Sequence, residues 1–246
     1  MNRESSQNGV EWADVETSSE EYARRFSGEV GKYFLDLQTQ ITLELLTPWP
    51  GARILDIGGG HGQLALPLVQ AGYQVTVAGS RPACQMRLSR LLPDGSYDFK
   101  VGDLLSLPME NKSFDVVLSF RLLPHLESWP GLIAECCRLA AKAVIVDYPD
   151  IRSINLFSRM LFRAKKAVEK NTRPFTCFSR AELLTEFSTH HFGHPLFRPE
   201  FFIPMALHRA LNSGPGSRRM ESVCRQLGLT GLLGSPVILR VTPESS

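Results

Sequence analysis

Asp56, Gly58, Gly59, Gly60 and Gly62, in the stretch Ile54-Leu55-Asp56-Ile57-Gly58-Gly59-Gly60-His61-Gly62-Gln63, are the residues whose types and spacing most directly imply chemistry. Glycines free the backbone at φ and remove side chains where a chain turns tightly beside a ligand. A carboxylate two residues before the first glycine adds a charged hydrogen-bond acceptor at the edge of that turn. Such a turn can cradle a nucleotide-like ligand on backbone N–H groups and on the field of a helix N-terminus. The spacing is G-x-G-x-G. The dinucleotide fingerprint is G-x-G-x-x-G, and Gln63 stands at its last glycine position, so the ligand need not be a dinucleotide.

The flanking residues supply the elements that position the turn. Arg53 to Ile57 reads as a short buried strand, and Gln63 to Ala71 as a helix closed by Gly72. Further strands are predicted at Tyr73–Ala78, Tyr97–Val101, Ser113–Phe120 and Ala143–Val146, with helices at Ala83–Leu92 and Trp129–Leu139 between them. This alternation implies a parallel, doubly wound sheet, whose ligands bind at the C-terminal edge of the strands.

Three co-ordered motifs over Gly51 to Pro149 resemble the class I S-adenosylmethionine-dependent methyltransferases. They are the D-x-G-x-G-x-G turn, Gly102-Asp103-Leu104-Leu105-Ser106-Leu107-Pro108 after the third strand, and Phe114-Asp115-Val116-Val117 opening the fourth. The resemblance implies a Rossmann-like, mostly parallel seven-stranded sheet with an antiparallel last strand inserted between strands five and six. It implies S-adenosyl-L-methionine as cofactor, held by Asp56, Gly58, Gly59, Gly60, Gly62, Ser80, Asp103, Leu104 and Phe120. Asp103 is expected to accept from the adenine amine, Leu104 to pack on the ring, and Asp115 to satisfy backbone donors at its strand entry.

One departure is plain. Relatives end the second strand with an acid that grips both ribose hydroxyls, whereas this chain has Gly79-Ser80-Arg81 and no Asp or Glu from Ile57 through Pro93. Ser80 offers one neutral bond instead, and an acid placed at Gly79 is expected to tighten cofactor binding. Arg81 also fits a 2′-phosphate, which keeps an NADP-dependent Rossmann oxidoreductase as the alternative. A non-catalytic cofactor-binding protein of the same fold is the other alternative. For an acceptor that needs a base, His125 after the fourth strand is the candidate catalytic residue.

Residues 1–18 are polar and read as a flexible tail, and 19–246 as the methyltransferase domain. Within it, 19–50 is a helical cap, 51–149 the cofactor-binding core, and 150–246 a variable part that covers the substrate and carries the last strands. Ser18 and Glu21 are spaced as a capping box, as are Ser179 and Glu182. A net charge of +2, from 27 basic and 25 acidic residues, does not call for a nucleic-acid partner. A small-molecule acceptor is expected, and the basic amphipathic stretch 151–170 offers a membrane-surface contact. Five scattered cysteines without a C-x-x-C pair point to reduced thiols and a cytoplasmic setting. His190, His191 and His194 have no partner at familiar ligand spacing, so no metal site is expected.

Overall fold

The structure is a computed structural model that describes residues 13–153 and 175–244. Residues 1–12 of the expected tail, and the basic stretch from 154 onward, lie outside the described residues.

Three helices, α1 (Ala13–Thr17), α2 (Glu20–Arg24) and α3 (Gly28–Leu46), precede β1 (Arg53–Ile57). The core continues as α4 (Ala65–Gln70), β2 (Gln74–Gly79), α5 (Leu88–Leu91), β3 (Asp98–Val101), β4 (Phe114–Ser119), α6 (Trp129–Leu139) and β5 (Ala140–Tyr148). After the undescribed stretch come α7 (Arg180–Thr189), β6 (Phe192–Pro199), α8 (Met205–Leu211), α9 (Gly214–Gln226), α10 (Leu229–Leu233) and β7 (Val237–Pro243). The seven strands form one sheet in the order β3-β2-β1-β4-β5-β7-β6. Strands β1 to β5 pair parallel, and β7 runs antiparallel between β5 and β6. This is the Rossmann-like fold that the motifs imply.

The central strands are apolar on both sides because both faces are covered. Leu55, Ile57, Val117, Val144 and Val146 pack on one face with Leu132 and Ile133 of α6 and Leu183 and Phe187 of α7. Their neighbours Ile54, Val116, Leu118, Ala143 and Ile145 point the other way, onto Phe34 and Leu45 of α3, Leu68 of α4 and Leu88 of α5. The two-residue period of the strand sorts them between the faces. At the strand entry, Asp115 accepts from the Arg53 N–H at 2.9 Å, the backbone role its motif implies.

Several local expectations are corrected. Residues 13–18, expected in the flexible tail, form α1 and the turn after it, and Asp14, Thr17 and Ser18 are buried. They are ordered because Asp14 finds hydrogen-bond donors inside the fold. The N-cap of α2 is Ser19, which accepts from Tyr22 N at 3.1 Å, because the Ser18 hydroxyl is spent on the Asp14 carbonyl at 2.7 Å. The helix expected at Ala83–Leu92 breaks into a 3-10 turn at Pro82–Gln85 and the short α5, where Cys84 turns inward toward Asp14. Strand β6 runs from Phe192 to Pro199, with its register shifting between Gly193 and Leu196. The Ser179–Glu182 capping box on α7 forms with both reciprocal bonds. No helix among the described residues is long and apolar enough to cross a membrane.

Candidate cofactor site

The glycine turn lies at the C-terminal edge of β1. Gly58 and Gly62 have φ of 78° and 77°, a left-handed conformation that strains any side-chain-bearing residue, and they bracket the 3-10 turn Gly59–His61. Gly59 and Gly60 are needed for space. A Cβ on Gly59 would collide with the Asp56 carboxylate, and one on Gly60 would collide with Ser18 Oγ and approach the Cys84 carbonyl to 2.5 Å.

A small cavity beside the turn is lined by Thr17, Asp56, Gly58, Gly59, His61, Gln63, Phe120 and Arg121, among others. Buried polar atoms without a protein partner converge on it. They are Asp56 Oδ1, both ring nitrogens of His61, Gln63 Oε1 and Arg121 Nη1. Buried polar groups are normally paired, so this concentration of orphans marks a place for a polar ligand. Burial pushes the Asp56 carboxyl up to about 7, with the charge of Asp147 adding to it. His61 moves the other way, to about 3, through burial and the Arg121 and Arg87 guanidinium groups, so its imidazole is neutral. Its ring stands edge-on to Tyr22 and Phe26 at 5.8 and 5.9 Å.

Behind the cavity, Asp147 of β5 and Glu200 after β6 face Arg121. Arg121 takes φ 58° at the end of β4, donates its N–H to Asp147 Oδ1 at 2.6 Å and lays its guanidinium 3.9 Å from the Phe26 ring centroid. Gln38 of α3 donates to Asp147 at 3.4 Å and Glu200 at 3.3 Å, and accepts from Arg121 Nη2 at 3.0 Å and from Gln63 Nε2. Burial raises Asp147 to about 6 and Glu200 to about 8, the latter also repelled by Asp147. Burial holds all three carboxyls, Asp56, Asp147 and Glu200, near or above neutrality, so a ligand that brings positive charge or donates hydrogen bonds would favour their ionised forms.

The other expected residues divide. Phe120 lines the cavity. Leu104 is buried beneath the segment after β3, where Asp103 accepts from Leu105 N at 3.0 Å and so also braces its own turn. Ser80 follows β2, but its N–H and hydroxyl are engaged by Asp14 at 2.7 and 2.6 Å. An acid at Gly79 is not the simple addition expected. Its Cβ would lie 2.8 Å from both Cys84 Cβ and Phe99 Cζ, pointing into packing. His125 sits in a 3-10 turn after β4, its ring 5.7 Å from Phe175, and is not among the residues lining the cavity. His61, Gln63 and Arg121 were not singled out as site residues from the sequence. The one available signal was that His61 and Gln63 interrupt or border the glycine run.

The orphaned Asp56 oxygen beside the glycine turn has the chemistry to accept from a ligand ammonium group. Residues 55–146 match the family described as methyltransferase domain. The chain is 33% identical over 111 residues to a phthiotriol/phenolphthiotriol dimycocerosates methyltransferase of Mycobacterium leprae, covering 43% of this chain and 40% of that protein. It is 34% identical over 94 residues to a ubiquinone biosynthesis O-methyltransferase of Hahella chejuensis, covering 37% and 40%. The chain thus spans about two fifths of the length of these curated relatives. Among solved structures it resembles a magnesium protoporphyrin IX methyltransferase from Synechocystis with bound S-adenosylhomocysteine, with TM-score 0.63, 16% identity and coverage of 91% and 93% of the two chains. A possible histamine N-methyltransferase from Thermotoga maritima gives TM-score 0.64 at 18% identity, covering 95% and 99%. The glycine turn, the Asp103 segment and the strand order agree with that match: residues 55–146 are similar to the methyltransferase domain, and the sheet has the Rossmann-like fold of these solved methyltransferases.

Proposed function

We propose that the protein transfers a methyl group from S-adenosylmethionine to a small-molecule acceptor. The observation that carries this reading is the convergence of the glycine cradle with the unpartnered Asp56 oxygen at one strand edge. The cofactor, when bound, supplies an electrophilic methyl on a sulfonium, so the protein needs little covalent apparatus. Its work is to orient the acceptor and exclude water, and positioning alone can contribute roughly 7–11 kcal/mol.

In this reading Asp56 takes the cofactor's ammonium group, and the N–H groups of the glycine turn hold its carboxylate side. Asp103 takes the adenine amine and Leu104 packs on the ring. Phe120 and Arg121 form the wall next to the reacting centre. His61, in place of His125, faces the acceptor. Its neutral ring accepts a hydrogen bond from an acceptor O–H or N–H, with Tyr22 and Phe26 fixing its orientation. Asp147 and Glu200 stand behind and favour an acceptor that donates hydrogen bonds. The relatives act on phthiotriols and in ubiquinone biosynthesis by their names, and an apolar acceptor with a hydroxyl fits the Tyr22–Phe26 side. All five cysteines are free, which supports a reducing, cytoplasmic setting.

The test is transfer of isotopically labelled methyl from the cofactor to a panel of phenols, catechols and amines. The reading requires label in an acceptor and a loss of turnover in His61→Ala that exceeds the loss in His125→Ala. No transfer to any acceptor by a protein that binds S-adenosylhomocysteine would favour the non-catalytic alternative.

A further inference from the structure

Helix α1 packs between the end of β2 and the glycine turn. Asp14 is fully buried. Its Oδ2 accepts from the Ser80 N–H at 2.7 Å and from Cys84 Sγ at 3.2 Å, and its Oδ1 accepts from the Ser80 hydroxyl at 2.6 Å. A buried carboxylate is tolerated only where short, charge-assisted bonds replace its water. The end of β2, which lacks an acid of its own, therefore presents a set of donors that α1 satisfies from 66 residues away.

The same short segment covers the glycine turn. An added Cβ at Gly60 would run into Ser18 Oγ, and one at Gly58 would come within 3.6 Å of Asp14 Cβ. Thr17 lines what remains of the cavity, about 10 Å³. That is room for one water, whereas small-molecule sites run to roughly 300–1,000 Å³. The outer fastening is weak. Glu20 of α2 pairs with Arg87 at 2.6 Å and Arg90 at 3.4 Å, but these pairs are partly exposed and screened.

We propose that α1 is a tethered occupant of the cofactor cleft, held by Asp14 on the Ser80 donors, and that it withdraws when S-adenosylmethionine binds. The proposal rests on the methyltransferase reading above. Asp14 does not serve as the missing ribose acid in this arrangement. Both its oxygens are committed to Ser80 and Cys84, and its Cβ packs beside Gly58. Because only the open fraction binds, the apparent affinity of the wild-type chain is lowered by that fraction. The chain thereby senses whatever stabilises the open form, and cofactor binding and α1 release are linked.

The experiment is titration of the full chain with S-adenosylhomocysteine in wild type, Asp14→Ala and Asp14→Asn, with amide hydrogen exchange on the same samples. Asp14→Asn keeps the side-chain size and one acceptor, and a melting curve checks that each variant is folded. Asp14→Ala is expected to bind about tenfold more tightly, with Asp14→Asn between it and wild type. The product cofactor should speed exchange at the Ser18 N–H, which donates to the Asp14 carbonyl at 2.9 Å, while slowing it at Gly60 and Gly62. Weaker binding in both variants would overturn the proposal and make Asp14 the ribose acid. Equal affinity in all three, with α1 still protected in the complex, would overturn it while leaving the methyltransferase reading in place. No binding by any of them, although exchange shows α1 released in Asp14→Ala, would remove both.

Discussion

Replacing Asp56 by Asn should stabilise the protein and weaken its cofactor binding. The carboxyl is buried with one oxygen unpartnered, and burial followed by the charge of Asp147 raises it from 3.8 to about 7. For a carboxyl raised on folding, the native state keeps a proton that the unfolded chain has already released. Stability therefore falls as pH rises through the window from about 4 to about 7 and is lowest above it. Three units at about 1.4 kcal/mol each set a ceiling of about 4 kcal/mol at pH 8. The amide left behind is itself incompletely bonded, at about 1–3 kcal/mol, so a net gain of about 2 kcal/mol is expected at pH 8. That amide penalty does not depend on pH, so the variant's advantage should be about 2–3 kcal/mol larger at pH 8 than at pH 5. Urea denaturation of both proteins at the two pH values measures this, and titration with S-adenosylhomocysteine measures the cost, a loss of at least about tenfold from one charge-assisted bond. An advantage that does not change between pH 5 and pH 8 would refute the assignment of Asp56 as a buried, proton-holding acid. An unchanged affinity would refute its role toward the ammonium group.

Asp103→Ala should cost about 1 kcal/mol of stability through the lost Leu105 N–H bond and about 1.5–3 kcal/mol of cofactor affinity. An analogue without the exocyclic amine should lose less, and equal losses would make Asp103 a brace only. Gly60→Val should remain folded and lose S-adenosylhomocysteine binding, since its side chain fills the cradle and displaces Ser18, and exchange in α1 should speed up. Glu221→Ala should destabilise the chain by about 3 kcal/mol in a urea titration. The buried Glu221 accepts from the Phe202 and Ile203 N–H groups at 3.0 and 2.8 Å and pairs with His208 at 3.0 Å, which ties α9 to α8 and to the loop after β6.

What was legible in the sequence is what local backbone geometry demands of residue types. Gly58 and Gly62 are glycine because their φ is positive, Asp115 follows Phe114 because a strand entry needs an acceptor, and Ser179 and Glu182 are spaced to cap each other. The alternation of apolar residues in the central strands carried the sheet in the same way. What stayed hidden is held by contacts between distant segments. Asp14 looked like one polar residue in a polar tail, and only the fold brings it to Ser80. Gln38 and Glu200 are 162 residues apart, and nothing near either announces a buried acid. The Gly79 expectation failed because the direction of a Cβ at the end of β2 depends on Phe99 of the neighbouring strand and on the turn at Cys84. Nothing local to the glycine turn marks His61 as buried, since its contacts with Tyr22 and Phe26 come from α2 and the turn that follows it.

The central claim is that the glycine turn and the Asp103 segment together hold S-adenosylmethionine. Titration calorimetry of the wild-type chain with S-adenosylhomocysteine and with NADP, followed by hydrogen exchange of the complex, tests it most directly. The account predicts one mole of S-adenosylhomocysteine bound per chain, no binding of NADP, and slowed exchange at Gly60, Gly62 and Leu105. Binding of NADP in its place, or binding that protects neither the glycine turn nor the segment after β3, would contradict it.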